Sequence, residues 1–228
     1  MSERISSSII GFDEIVGGGI KKGSMVLLHG PPFCGKKLLM MQFLYEQLKS
    51  SNKVIFILSD FGYKDFVNKM KNFKMDISAF EKNNSVFFID AYSKLYEPLL
   101  QSTDTIKYVS SPSALSEISL SISKITESFN LTNYFVGWHS LSGILSSTSP
   151  VSFFKFLSFE IAKFKKANAT CLFTLEKNAH SKEHELGIER FMDGVLDFSD
   201  SKIIVRGFET FDSNPHPYSI NENGISIM

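Results

Sequence analysis

Two hydrophobic patterns alternate along most of the chain. Short unbroken apolar runs predict buried strands: Met25 to Leu28, Val54 to Leu58, Ser85 to Ile89, a run starting at Tyr134 to Val136, and Thr170 to Leu175. Between them apolar residues return every three or four positions, as on one face of a helix. Leu39, Phe43, Leu44 and Leu48 do so within 38–49, and a mixed helix is predicted near 64–72. Leu115, Ile118, Ile122, Ile125 and Phe129 mark an amphipathic helix, predicted to open at Pro112 with Ser111 as its cap. Phe153, Phe154, Leu157, Ile161 and Phe164 mark another, opened by Pro150 and ending in Lys163, Lys165 and Lys166, where cations suit the helix dipole. Residues 91–111 have no clear period and predict an inserted loop or a short helix.

The C-terminal third changes character. Val195 to Phe198, Ile203 to Val205, Tyr218 to Ile220 and Ile225 to Ile227 are short strands separated by turn residues such as Asp200, Pro215, Pro217, Asn223 and Gly224. Alternating strands and helices followed by a run of strands predict an α/β fold, with a mostly parallel sheet and antiparallel additions at one edge. A length of 228 residues suits one domain spanning 1–228, and 22 phenylalanines supply a large core.

Charge and cysteine content narrow the classes further. The formal net charge is zero, which gives no bulk electrostatic case for nucleic acid or an anionic membrane. Cys34 and Cys171 are far apart and fit no metal spacing, so reduced thiols of a cytoplasmic protein are expected. No uncharged run reaches the ~18 residues of a membrane span, and Asp13 and Glu14 interrupt any apolar leader.

The chemistry concentrates in Gly30-Pro31-Pro32-Phe33-Cys34-Gly35-Lys36-Lys37, ahead of Leu38. The phosphate-binding P-loop is G-x-x-x-x-G-K-[ST], set between a strand and a helix. Gly30, Gly35 and Lys36 fit it. Backbone N–H groups of Phe33 to Lys37 at a helix start would point at an anion, and Lys36 would reach the β- and γ-phosphates. The plainer alternative is a glycine-rich strand-to-helix turn. Lys37 departs from the pattern: an ammonium has donors only and cannot take the hydroxyl's place on Mg²⁺.

The stretch Gly11-Phe-Asp-Glu-Ile-Val-Gly-Gly-Gly-Ile20, then Lys-Lys-Gly-Ser24, then a strand and the loop, resembles the KaiC-like branch of the RecA superfamily of ATPases. Glu189-Arg-Phe-Met-Asp-Gly-Val195, Val205-Arg-Gly207 and Pro217-Tyr-Ser-Ile220 to Gly224-Ile225 resemble later parts of the same family in the same order. The resemblance implies a RecA-like P-loop NTPase domain: a mostly parallel central sheet, helices on both faces, antiparallel C-terminal hairpins, and nucleotide at subunit interfaces. It also implies that His139, in Val136-Gly-Trp-His-Ser140, stands where the family has an aspartate that helps to hold Mg²⁺. A histidine filling that slot structurally is the alternative. Asp60 is the sole carboxylate near the position of the family's paired glutamates, either a residual base or a loop aspartate. Arg206 resembles the arginine presented to a neighbour's nucleotide, or is a solvated strand residue. Glu176 either contacts the site from below or closes a strand. His180 and His184 have i, i+4 spacing that binds zinc on a helix, without an evident third ligand.

Taken together, these residues predict ATP or ADP binding without a need for Mg²⁺, weak or absent hydrolysis, and a regulatory or structural subunit. That subunit would sit in a homo-oligomer, or in a hetero-oligomer with an active family member. Three alternatives stand beside it: an ATPase with a rearranged site, an interaction module that binds no nucleotide, and a recombinase-like DNA-associated paralogue. No metal ligand set is expected.

Overall fold

The computed structural model describes residues 3–209 and 214–228. Twelve strands and eight α-helices follow one another among the described residues. In chain order they are β1 (Arg4–Ile5), α1 (Phe12–Ile15), β2 (Ile20–Lys21), β3 (Met25–Gly30), α2 (Lys36–Lys49), β4 (Val54–Leu58), α3 (Tyr63–Asn72), α4 (Ser78–Lys82), β5 (Val86–Asp90), β6 (Ile106–Tyr108), α5 (Leu115–Ser128) and β7 (Phe135–His139). Then come α6 (Leu141–Ser147), α7 (Pro150–Lys166), β8 (Thr170–Glu176), α8 (Lys182–Glu189), β9 (Gly194–Ser199), β10 (Lys202–Gly207), β11 (Pro215–Asn221) and β12 (Gly224–Ile227).

Ten strands form one sheet in the order β12-β11-β10-β9-β3-β8-β7-β4-β5-β6, while β1 and β2 pair apart from it. Neighbours from β9 across to β6 are parallel, and β9 through β12 are antiparallel. The expected architecture is therefore present. The central strands are buried on both faces, which is why they read as unbroken apolar runs. Alternate residues feed two cores. Val26, Leu28, Phe56 and Phe88 meet Leu39, Phe43 and Leu44 of α2 and Phe66 of α3. Leu27, Ile57, Trp138 and Phe173 meet Ile118 of α5, Ile144 of α6 and Leu157 and Phe164 of α7. Among the described residues no helix is long and apolar enough to cross a membrane.

Two local expectations need correction. The helix expected to open at Pro112 starts at Leu115, with Ala114 before it and no side-chain cap. Glu117 accepts from the Ser110 N–H at 3.0 Å and from its hydroxyl at 2.8 Å, which holds the preceding segment in a turn. The 91–111 segment holds a short 3-10 helix, Ser93–Leu95, and also β6, which closes one end of the sheet. Pro150, by contrast, sits in the first turn of α7 behind Ser149, whose hydroxyl accepts from the Ser152 N–H.

Parallel registration brings the C-terminal ends of four strands together. Gly30 pairs with Glu176 and Leu58 with His139. In open α/β sheets ligands bind at that edge. The fit beneath it is tight. A methyl group on Gly137 in β7 would lie 2.4 Å from Leu44 Cδ1 and 3.0 Å from Phe56 Cδ1. Gly137→Ala is expected to cost roughly 1–3 kcal/mol of stability through overpacking, measured by urea denaturation. A midpoint unchanged from the wild type would count against this account of α2 packing.

Candidate functional site

The loop between β3 and α2 is shaped by contacts as well as by its glycines. Gly35 has φ +94°, and a Cβ there would lie 2.6 Å from Ile220 Cδ1. Gly30 is pinned by neighbours: a Cβ would lie 2.7 Å from Phe198 Cβ and 2.9 Å from Cys34 Sγ. Phe33 is fully exposed at the loop tip with φ 62°, a left-handed conformation uncommon for a bulky residue. The C-terminal hairpins brace the loop from behind. Tyr218 donates its hydroxyl to the Cys34 carbonyl, and the Ile225 N–H donates to Gln42 Oε1 at 2.9 Å. No side chain of the Gly35 cap position bonds the N-terminus of α2, whose first turn lines the cleft.

The cleft in front of the loop has a volume of about 610 Å³. Pro32, Phe33, Cys34, Gly35, Lys36, Lys37 and Leu38 line one side, and Asp60, Phe61, Lys69, His139 and Glu176 line the other. The structure thus gathers the loop residues, Asp60 and His139 as expected positions in one place. Gly30 and Pro31 do not line the cleft themselves; the Pro31 carbonyl accepts from Lys36 Nζ at 2.8 Å.

Lys36 is buried, and its ammonium also binds Glu176 Oε2 at 2.8 Å. Glu176 is therefore a member of the site, held at the end of β8 where its N–H donates to Ser142 Oγ at 3.0 Å. Lys37 rests its ammonium 3.8 Å from the centre of the Phe61 ring. Lys69, reaching in from α3, lies 4.8 Å from the same ring. Burial, then the nearby Lys69 charge, pushes the Lys37 pKa down to about 8, so at pH 7 it is still mostly protonated.

Asp60 accepts from the Ser140 hydroxyl at 2.5 Å, and burial raises its pKa despite that bond and the Lys37 charge. Ser59 and Ser140 tie the ends of β4 and β7 together: Ser59 Oγ donates to the Ser140 carbonyl at 2.6 Å and accepts from the Ser140 N–H at 2.9 Å. His139 is buried, with Nδ1 2.6 Å from Thr174 Oγ1 and Nε2 3.8 Å from Asp60, beyond hydrogen-bond range. Burial first, then the charges of Lys37, Lys36 and Lys69, hold its pKa well below the usual value, so the ring is neutral. The His139–Ser140 peptide is cis.

Mg²⁺ does not suit this donor set. The hydroxyl of a P-loop is replaced by Lys37, and the β7 end carries a neutral histidine already engaged with Thr174. A divalent ion ~4 Å from one ammonium meets a repulsion of roughly 2 kcal/mol in bulk water and about 8 at an effective dielectric of 20. Of the two carboxylates in the lining, Glu176 is paired with Lys36, which leaves Asp60 as the anionic oxygen not held in an ion pair with a lysine.

Arg206 lies elsewhere. It makes two hydrogen bonds to Glu189, at 2.8 and 2.7 Å, and approaches Asp197 at 3.6 Å. It belongs to a charged cluster on the α8 side of the sheet, where His29 Nε2 lies 3.2 Å from Glu185 and Lys177 pairs with Asp197 at 2.7 Å. His180 precedes the α8 cap Ser181, and His184 lies within the helix, so the two do not share a helical face. Among the described residues no three His, Cys, Asp or Glu side chains are placed to hold a metal ion.

The family model for the KaiC ATPase matches residues 5–228. The chain belongs to the KaiC ATPase family. A UPF0273 protein of Sulfurisphaera tokodaii is 36% identical over 91 residues, covering 40% of this chain and 32% of that protein. Another, of Pyrobaculum aerophilum, is 34% identical over 90 residues, with the same two shares. These alignments span about a third of the relatives' length. The crystal structure of a KaiC-like protein from Pyrococcus horikoshii superposes over 100% of both chains with a TM-score of 0.79 at 20% identity, which establishes the shared fold. Within this KaiC-family frame, Lys36 paired with Glu176 and the uncapped start of α2 lie on the loop side of the cleft, with Lys37 and His139 beside them.

Proposed function

We propose that this KaiC-family chain binds ATP or ADP in the P-loop cleft, hydrolyses it slowly or not at all, and serves as a nucleotide-responsive regulatory or structural subunit. The observation that carries the reading is the pairing of a preserved cradle with lysine and histidine in the two metal-side positions. Lys36, the open amides of α2 and the left-handed Gly35 supply what grips phosphate. Metal charge stabilisation and an activated water supply much of phosphoryl transfer, and here the first lacks ligands. Asp60, bonded to Ser140, is the sole acid at the end of β4 and would have to activate water unaided. The proposed roles are thus phosphate contact for residues 32–38, a turn-shaping place for Gly30 and Pro31, and a supporting place for His139. Arg206, tied to Glu189, takes no part within its own subunit's cleft. Membership of the family supports assembly with further copies or with an active relative.

The test is calorimetry with ATP and ADP, joined to a phosphate-release assay with Mg-ATP. Saturable micromolar binding with turnover at least a hundredfold below that of an active family member is expected. Brisk turnover lost in Lys36→Ala would show an ATPase with a rearranged site, and no binding of either nucleotide would leave an interaction module.

A further inference from the structure

We propose that Lys37 and Lys69 form a paired-ammonium clasp that takes the terminal phosphates of a metal-free nucleotide or of pyrophosphate, so that Mg²⁺ competes with the protein for its ligand. The inference rests on the nucleotide reading above and deepens it.

The two lysines come from different helices, α2 and α3, yet both ammoniums gather on Phe61, 3.8 and 4.8 Å from its ring centre. A ring face attracts a cation but neutralises no charge. Like charges brought together in this way repel each other unless an anion joins them. Neither carboxylate of the cleft forms an ion pair with the two: Glu176 holds Lys36 at 2.8 Å, and Asp60 accepts from Ser140 and attracts Lys37 only from a distance. Three ammoniums thus face two carboxylates, at the mouth of a helix N-terminus whose amides carry no cap. His139, neutral and buried, adds no positive charge and presents Nε2 to the same space.

A P-loop protein ordinarily neutralises the β- and γ-phosphates with one lysine and a magnesium ion held by the loop hydroxyl. Lys37 stands at that hydroxyl's position. Lys69 supplies a second fixed charge on the same side of the loop. Two ammoniums carry the formal charge of one divalent ion, and each donates hydrogen bonds directly to phosphate oxygens, which a metal ion cannot do. Magnesium-bound ATP would arrive with that charge already in place and would set it against the clasp. The ligand class is therefore a free phosphoanhydride: ATP, ADP or pyrophosphate without its metal.

The experiment measures affinity by calorimetry at pH 7 and constant ionic strength for ATP, ADP, AMP and pyrophosphate, each in EDTA and in excess Mg²⁺. It compares wild type with Lys69→Ala and Lys69→Arg; Lys69 is exposed on α3, so both variants should keep the wild-type melting temperature. The clasp predicts that free ATP binds at least tenfold more tightly than Mg-ATP. It also predicts that Lys69→Ala weakens free ATP and pyrophosphate five- to tenfold but AMP less than twofold, and that Lys69→Arg restores most of the loss. Free ATP bound with equal affinity by wild type and Lys69→Ala, or Mg-ATP bound more tightly than free ATP, overturns the clasp and leaves the nucleotide reading standing. Lys69-dependent binding of pyrophosphate without binding of any nucleotide keeps the clasp and removes the nucleotide reading. Binding of none of the four ligands removes both.

Discussion

Lys36→Met is expected to weaken ATP binding at least a hundredfold, about 2.7 kcal/mol. Lys36 is the one lysine that the loop buries, and its ammonium sits between the Pro31 carbonyl and Glu176, both at 2.8 Å. The fold thus fixes the cation before any ligand arrives, so little side-chain entropy is lost on binding. Methionine keeps the stem's apolar packing and removes only the charge. Glu176 then loses its partner, yet its carboxylate is a quarter exposed and can turn to water, so the stability cost should stay near 1–3 kcal/mol. Adding Glu176→Gln to Lys36→Met separates the two roles. Thermal melting of the double variant should recover most of the lost stability, while calorimetry should show no recovery of ATP affinity. Recovery of both would mean that Lys36 serves the fold alone.

The second large effect is a reversal. Lys37→Thr combined with His139→Asp places an oxygen at each of the two metal-side positions. The expected result is that Mg²⁺ changes from weakening ATP binding to strengthening it at least tenfold, a swing of about a hundredfold against the wild type. Lys37→Thr removes the repulsion, and His139→Asp supplies the carboxylate. Thr174, now 2.6 Å from the imidazole, offers a hydroxyl that can donate to the new group. Loss of the ring contact with Phe61, whose centre lies 4.9 Å from that of His139, will cost some stability, so melting must be recorded beside the titration. A folded double variant still weakened by Mg²⁺ would show that the shape of the cleft, and not the two side chains, excludes the ion.

Much of the fold was written in runs and periods. β4, five apolar residues long, matches its predicted bounds, and the C-terminal strands fall near their predicted places, although Pro215 and Pro217, read as turn residues, lie within β11. The elements that escaped are short or locally ambiguous. β6 has three half-buried residues and no length in which alternation can show. α6 follows β7 after a single residue, and its serines blur the apolar face. The site was legible where one motif carries it and obscure where folding assembles it. Lys69 looks like any lysine on the polar side of α3; only the packing of Phe61 reveals its direction. Glu176, read as closing a strand or touching the site, does both, because parallel pairing sets it opposite Gly30. The Glu189 partner of Arg206 is 17 residues away in the chain, with a strand between them, and no local pattern announces it.

That last pairing has a consequence for association. An arginine free in solvent can be recruited by any passing anion, whereas this one holds a forked bond to Glu189 with Asp197 close behind. Drawing it outward strands the mostly enclosed carboxylate of Glu189, while Asp197 keeps Lys177. A neighbouring copy therefore has to offer more than diffuse attraction: it must outbid a partner already in place. The fork therefore sets a threshold: an anion that recruits Arg206 has to replace the two hydrogen bonds to Glu189.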